Sequence, residues 1–286
     1  MRKGQKATKQ TVEGDERTNA QTFVRAFDLL RTVASRMGDG ASLSDLVTSS
    51  GLTKPTVRRL LISLIENGLV EQESESRRYF VGPEAYALGL LAASRFEAPP
   101  QIAECVRTLA RESDDAAMLS VERGHYALCT LREDGNFPLR THALQPGNRH
   151  PLGVGAAGLA LLAARSDDKI EEILRNSLAE IMRDYPRVDG DGIRQEVKAC
   201  RSRGYSLNSG LVVPGSWGIA IAMKDPRNGV PFALTIAAVQ SRFEGGRLQI
   251  LGEMPKEEAG QLRFRLQSEA GTPWRLADRR SASSLE

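Results

Sequence analysis

The chain has 286 residues, which favours two domains over one, and its 41% hydrophobic and 26% charged content is that of a globular protein able to bury real cores. Disorder throughout, collagen and a disulfide scaffold are excluded. The formal net charge of +3 is too small to announce a nucleic-acid partner, so any such reading must come from where the charges sit.

Residues 1–20 are polar with almost no apolar content and are expected to form a flexible tail. A helical period then begins, with Phe23, Ala26, Phe27, Leu30, Val33 and Ala34 on one predicted buried face, and stops before Gly38-Asp-Gly40. Ser42-Leu-Ser-Asp45 is a capping-box pattern that opens a short helix with Leu43, Leu46 and Val47 inward, and Gly51 suits its left-handed end. Thr53 is placed to cap a third helix, with Lys54-Pro55 in the first turn and Val57, Leu60, Leu61 and Leu64 inward, ending at Asn67-Gly68. Two short strands, 69–72 and 79–81, flank a polar loop. Helix, short helix, tight turn, helix and hairpin is the order of a winged helix-turn-helix, assigned to residues 21–82.

A linker helix is predicted over 83–98, and Ala98-Pro-Pro100 marks a domain boundary. Beyond it, over 99–271, the pattern becomes mixed: a helix around 102–110, strands at 116–121 and 126–131 turned at Arg123-Gly124, and helices near 156–165, 168–176 and 191–203. Two β-branched runs at 217–223 and 230–239 are separated by the turn signal Asp225-Pro-Arg-Asn-Gly229. A last helix is expected after Pro255, and a loose tail over 272–286. The fold class is α+β, with a central antiparallel sheet in the second domain. Cys105, Cys129 and Cys200 form no C-x-x-C pair and read as buried small hydrophobes. No stretch nears the roughly 18 apolar residues that cross a bilayer, and the basic start leads into polar residues, so a cytoplasmic protein with no membrane contact is expected.

Function is most legible in the third helix. Thr56, Arg58, Arg59, Ile62 and Ser63 point away from its apolar face, and between Thr53 and Arg59 there are three basic residues and no acid. Such a helix fits the major groove, where Arg makes bidentate contacts to guanine and Thr reaches a base edge or a phosphate. Ser44, Thr53, Lys54, Thr56, Arg58 and Arg59 are the DNA-binding candidates of the helices, and Arg77 and Arg78 those of the hairpin. Glu66, Glu71, Glu73 and Glu75 surround this surface with negative charge, which favours selectivity over raw affinity. A winged helix that only mediates protein contacts is the alternative, and it calls for an outward apolar face, which Ile62 alone does not make.

Gly51-Leu-Thr-Lys-Pro-Thr-Val-Arg-Arg-Leu-Leu61, Leu64, Asn67-Gly-Leu-Val70, Tyr79, Ala87-Leu-Gly89, His150-Pro-Leu152, Gly158-Leu-Ala-Leu-Leu-Ala163 and Arg203-Gly-Tyr205 together resemble the IclR family of bacterial transcriptional regulators, over about residues 20–270. The resemblance implies a GAF-like effector-binding second domain and a homodimer or dimer of dimers on a palindromic double-stranded DNA operator. The helix after Pro83 would carry part of the dimer contact. It also implies an effector pocket at Gly155, Ala156, Ala157, Asn208, Gly218, Thr235 and Ala237. Small residues at a helix N-terminus expose amides suited to a carboxylate, so a small organic acid is the implied ligand. Where many relatives have paired acids after Gly-Tyr, this chain reads Ser206-Leu-Asn-Ser-Gly-Leu-Val-Val-Pro-Gly215. A less polar pocket follows, suited to a larger or more hydrophobic ligand such as an aromatic acid.

Enzyme readings are weaker. Gly153-Val-Gly-Ala-Ala-Gly158 matches a dinucleotide-binding pattern, but Asn148-Arg-His-Pro151 precedes it in place of a hydrophobic strand, and Glu171-Glu172 fall on a predicted helix. His125, His142 and His150 lack metal-ligand spacing, and no G-x-S-x-G occurs, so neither catalysis nor a cofactor is expected. His150 precedes the pocket loop and is able to touch an effector.

Overall fold

The computed structural model describes residues 4–139, 141 and 144–268. The chain divides into two compact units, Met1–Ser94 and Arg95–Glu286.

In the first unit, helices α1 (Gly4–Ser35), α2 (Leu43–Ser50) and α3 (Lys54–Glu66) precede strands β1 (Val70–Gln72) and β2 (Tyr79–Val81), followed by α4 (Pro83–Phe96). The capping box forms as its sequence requires: the Asp45 amide donates to Ser42 Oγ and the Ser42 amide to Asp45 Oδ2, each over 3.1 Å. Gly51 closes α2 at φ 65°, its amide donating to the Val47 carbonyl. Leu29, Val33, Leu46, Val57, Leu60, Leu61, Leu64, Val70 and Tyr79 make the core.

Two expectations for α1 are corrected. The helix is continuous back to Gly4, where a flexible tail was expected. Extending an existing helix needs no new nucleus, and Ala, Gln, Lys, Glu and Arg are residues that propagate one well. The buried face also differs in part: Val33 is inside and Ala26 and Leu30 pack against the core as expected, but Leu29 is buried too, whereas Phe23 and Phe27 are exposed, their ring centroids 4.8 Å apart. The small core reaches only the last turns of α1, so apolar residues upstream find nothing in this unit to cover them.

In the second unit, α5 (Pro100–Ser113), β3 (Ala116–Arg123), β4 (Tyr126–Glu133), β5 (Arg149–Pro151), α6 (Gly155–Ala163), α7 (Asp167–Asp184), α8 (Gly190–Arg203), β6 (Ser206–Ser209), β7 (Ser216–Lys224), β8 (Pro231–Val239) and α9 (Arg247–Ser268) follow in order. The six strands form one sheet in the order β5-β4-β3-β8-β7-β6, and every neighbouring pair is antiparallel. The strand period of two sorts its faces. Leu119, Val121, Ile219, Ile221, Leu234 and Ile236 pack with α5 and α9, while Ala222 and Ala233 turn to the side of α6, α7 and α8. Asp115 is buried at the start of β3 and accepts from Arg242 Nε at 3.0 Å and Arg247 at 3.3 Å, which ties the sheet to α9.

The last helix begins at Arg247, not after Pro255, which lies inside it. Proline removes one amide bond there, but the turns before it bury Leu251 and press Gly252 onto the Tyr205 ring, and that packing outweighs the loss. The tail at 272–286 lies outside the described residues. Among the described residues no helix is long and apolar enough to cross a membrane.

Candidate functional site

Two surfaces carry chemistry. The first is the outward side of α3, where Lys54, Pro55, Arg58, Arg59, Ile62, Ser63 and Glu66 line one open groove. Lys54, Arg58 and Arg59 are exposed, and among the described residues no carboxylate pairs with them or with Arg77. Thr53 occupies the N-cap without a side-chain bond to a helix amide; its hydroxyl lies 2.9 Å from that of Thr56 instead. This differs from the capping role expected of Thr53, and it leaves the Lys54 and Thr56 amides uncapped at the positive end of the helix dipole. Pro55 has no amide to satisfy. Ser44 is exposed on α2, its hydroxyl 2.9 Å from Ser42 Oγ.

The hairpin turn places Arg77 at φ 58°, a left-handed conformation held by Gln72 Nε2 donating to the Arg77 carbonyl. Arg78 behaves differently: its guanidinium donates to the carbonyls of Asp39 at 3.1 Å and Gly40 at 3.0 Å, tying the hairpin to the loop before α2. Of the two hairpin arginines, Arg77 is therefore the freer.

The second surface is a cavity between α6 and the sheet. All seven effector candidates, Gly155, Ala156, Ala157, Asn208, Gly218, Thr235 and Ala237, line it. Cross-strand register explains why: Ala237, Gly218 and Asn208 stand in one row across β8, β7 and β6, and Thr235 stands in the next beside Met118. A Cβ on Gly218 would lie 3.4 Å from that of Ala156, so the first turn of α6 sits directly over this floor. Val154 gives α6 no side-chain cap, leaving the amides of Gly155, Ala156 and Ala157 without intrahelical acceptors. Ser206 fixes that turn by donating its hydroxyl to the Ala156 carbonyl at 2.7 Å.

The lining also includes Met118, Ser120, Leu144, His150, Val212, Val213, Ser216 and Trp217. His150 was anticipated as a neighbour; the others were not singled out from sequence. Leu144 is held by Arg132, which donates to the Leu144 and Thr141 carbonyls at 2.8 Å each. Among the described residues no lysine, arginine, aspartate or glutamate lines the cavity, and burial pushes His150 down to about 4, so its ring is neutral near pH 7. Ser120 Oγ, Asn208 Oδ1 and Thr235 Oγ1 are buried without a hydrogen-bond partner among the described residues.

The G-x-G-x-x-G segment has a structural explanation. Gly153 and Gly155 have φ of 96° and 68°, and a Cβ on Gly158 would come within 2.6 Å of the Pro151 carbonyl oxygen. The strand before it is a three-residue antiparallel edge, and Glu171-Glu172 lie within α7, so the elements of a dinucleotide site are not assembled. Among the described residues no cluster of His, Cys, Asp and Glu suits a metal ion; His142 lies outside them.

Comparison with known proteins bears on both surfaces. The model of the IclR helix-turn-helix domain matches residues 22–74, and that of the bacterial transcriptional regulator IclR C-terminal domain matches residues 94–263. The chain is 25% identical over 240 residues to the HTH-type transcriptional regulator BhcR of Paracoccus denitrificans, covering 84% of this chain and 85% of that one. It is 24% identical over 236 residues to the transcriptional repressor IclR of Escherichia coli, covering 82% and 85%. The crystal structure of an IclR family transcriptional regulator from Brucella abortus superposes with a TM-score of 0.68 at 20% identity, covering 89% of this chain and 95% of the other, a likeness of fold. A reading helix with unpaired cations, an α+β unit around a cavity and matches over both halves have one conclusion: the chain belongs to the IclR family of DNA-binding transcriptional regulators.

Proposed function

We propose that this regulator binds a palindromic operator as a homodimer or dimer of dimers and changes its DNA affinity when a small organic acid, aromatic acids included, occupies the cavity beneath α6. One observation carries the DNA half of the reading: the outward face of α3 offers Arg58, Arg59 and Lys54 unpaired beside two uncapped helix amides. Arg59, near the centre of that face, is assigned to a base edge; Lys54, the Thr56 amide and Arg77 are assigned to phosphates. Thr53, Thr56 and Ser44 add neutral hydroxyls, and Arg78 serves chiefly to hold the hairpin. The acid is assigned to the amides of Gly155, Ala156 and Ala157, because among the described residues no lysine or arginine lines the cavity and the helix dipole supplies positive potential there.

The operator is to be selected from random duplexes with the full-length protein, then measured by fluorescence anisotropy over a salt series. Arg59→Ala is expected to weaken binding about tenfold, the order of one base contact, with the melting temperature unchanged. Undiminished affinity in Arg59→Ala, or selected duplexes without two-fold symmetry, overturns this account of the interface.

A further inference from the structure

We propose that the segment Trp274-Arg-Leu-Ala-Asp-Arg-Arg280 docks on α9 of its own chain, with Trp274 against the Phe264 ring and its arginines toward Glu112, Glu257 and Glu258.

The receiving surface is a groove between α9 and α5. Met254, Glu257, Glu258, Gln261 and Arg265 follow one another at steps of three and four along α9 and so share a face, and Glu112 of α5 stands across from them. Gln261 and Arg265 also line the next opening along the helix, beside Phe264, whose side chain is 71% exposed. The groove therefore joins an apolar end to an acidic stretch. Its three carboxylates face one guanidinium: Arg265 donates to Glu258 over 3.3 Å, Glu112 has only Arg111 at 3.8 Å, and among the described residues no cation pairs with Glu257. A matching occupant carries an aromatic anchor followed by cations.

The chain itself supplies that sequence. Residues 269–286 lie outside the described residues and beyond residue 263, where the family model ends, so the family resemblance says nothing of them. Gly271 and Pro273 are a helix-stop signal just past Ser268, and Trp274 follows with Arg275, Arg279 and Arg280 against the single acid Asp278. Reach decides that the contact is possible. At about 1.5 Å per helical residue Phe264 lies about 6 Å back from Ser268 and Glu257 about 16 Å, whereas six extended residues span up to about 20 Å and twelve up to about 40 Å. Trp274 thus returns to Phe264, and Arg279 and Arg280 to Glu257, with length left over for the turn. Attachment to α9 holds the segment at an effective concentration of about millimolar, which a second copy or a separate basic peptide reaches only at that concentration in solution.

The test uses the full-length protein carrying Trp217→Phe, which keeps an aromatic ring at that position and leaves Trp274 as the sole tryptophan. Acrylamide quenching of Trp274 is expected to be about threefold weaker than that of N-acetyltryptophanamide, with emission shifted to the blue. Phe264→Asp, at an exposed position, is expected to bring quenching to within about 1.5-fold of the free compound with the far-ultraviolet dichroism unchanged; Glu257→Lys, or 1 M salt, is expected to move it about halfway. Without the Trp217→Phe change, Trp274→Ala is expected to speed amide exchange over residues 261–268 about fivefold. Trp274 as accessible as the free compound, protection that survives Phe264→Asp, or exchange that Trp274→Ala leaves unchanged each overturn the docking. Protection that returns when the Phe264→Asp chain is assembled with a Trp274→Phe chain overturns the choice of occupant and gives the groove to a second copy. Quenching indifferent to both Glu257→Lys and salt overturns the assignment of the arginines.

Discussion

His150 shows how a single residue is set by its surroundings. It stands on β5 against the first turn of α6, where a Cβ on Gly155 would lie 3.2 Å from its Nδ1, and its ring centroid is 5.7 Å from that of Tyr185. Burial holds its pKa down to about 4, against an ordinary value near 6.5, so near neutrality it offers the cavity one donor and one acceptor in place of a cation. The direction of the shift fixes the pH dependence. The unfolded imidazole takes a proton as pH falls through about 6.5, the folded one resists until about 4, so the stabilisation is whole above 6.5 and is lost across the window between them. Allowing for the ring's partial contact with solvent, the loss is about 2 kcal/mol. His150→Gln, which cannot take up that proton, is expected to flatten the denaturant-unfolding stability of the second unit between pH 6.5 and 4 by that amount relative to the parent. Parallel curves for the two proteins would mean that the folded ring protonates freely. Residues such as this were partly legible in the sequence. The seven effector positions came from family resemblance and all reach the cavity, whereas Ser120 and Met118 escaped, because strand alternation says which residues share a face and not whether that face meets a helix or an opening.

At the level of elements, local chemistry was legible wherever it was self-contained. The capping box of α2, the left-handed Gly51 and the inward leucines of α3 depend on residues within a few positions of each other. The three-residue β5 and four-residue β6 are too short to leave a periodic trace, and both are defined by pairing with distant strands. The exposed Phe23 and Phe27, and the proline within α9, likewise depend on what the rest of the chain does or does not place beside them. α6 is the element on which the cavity depends most. All of its residues except Gly155 are buried, its entry is turned by Gly153 and Gly155, and Gly158 brings it against the chain at Pro151. A methyl at Gly158 meets a backbone oxygen, which cannot swing aside as a side chain does. Gly158→Ala is therefore expected to destabilise the second unit by about 1–3 kcal/mol despite the higher helix propensity of alanine. Gly260→Ala in α9, where a Cβ meets nothing within 4 Å, is the control and should leave the unit unchanged or more stable by up to about 1 kcal/mol. Equal effects in the two variants, measured by thermal melting, would remove Gly158 as the close-packing point of the helix.

For the whole molecule the question is how one reading head becomes a tight and regulated binder. A single α3 presents few base contacts, and specific affinity on a palindrome comes from two heads held at fixed separation. A ligand then changes that affinity only by binding unequally to two arrangements of the pair. The proposed dimer requires apolar residues to join its copies, and the first unit exposes them on two helices: Phe23, Val24 and Phe27 on α1, and Tyr86, Leu88, Leu90 and Leu91 on α4. Leu91 is 79% exposed within one chain, so a charge there costs the fold of a single copy little and the apposition of two copies a great deal. Leu91→Asp is expected to melt like the parent, to sediment toward the monomer at micromolar concentration, and to lose at least tenfold in operator affinity, while its affinity for a cavity ligand stays within about twofold. An unchanged mass together with unchanged operator affinity would place the joining surface elsewhere. Loss of mass with full operator affinity would show that one head suffices and would remove the physical reason for a palindromic site.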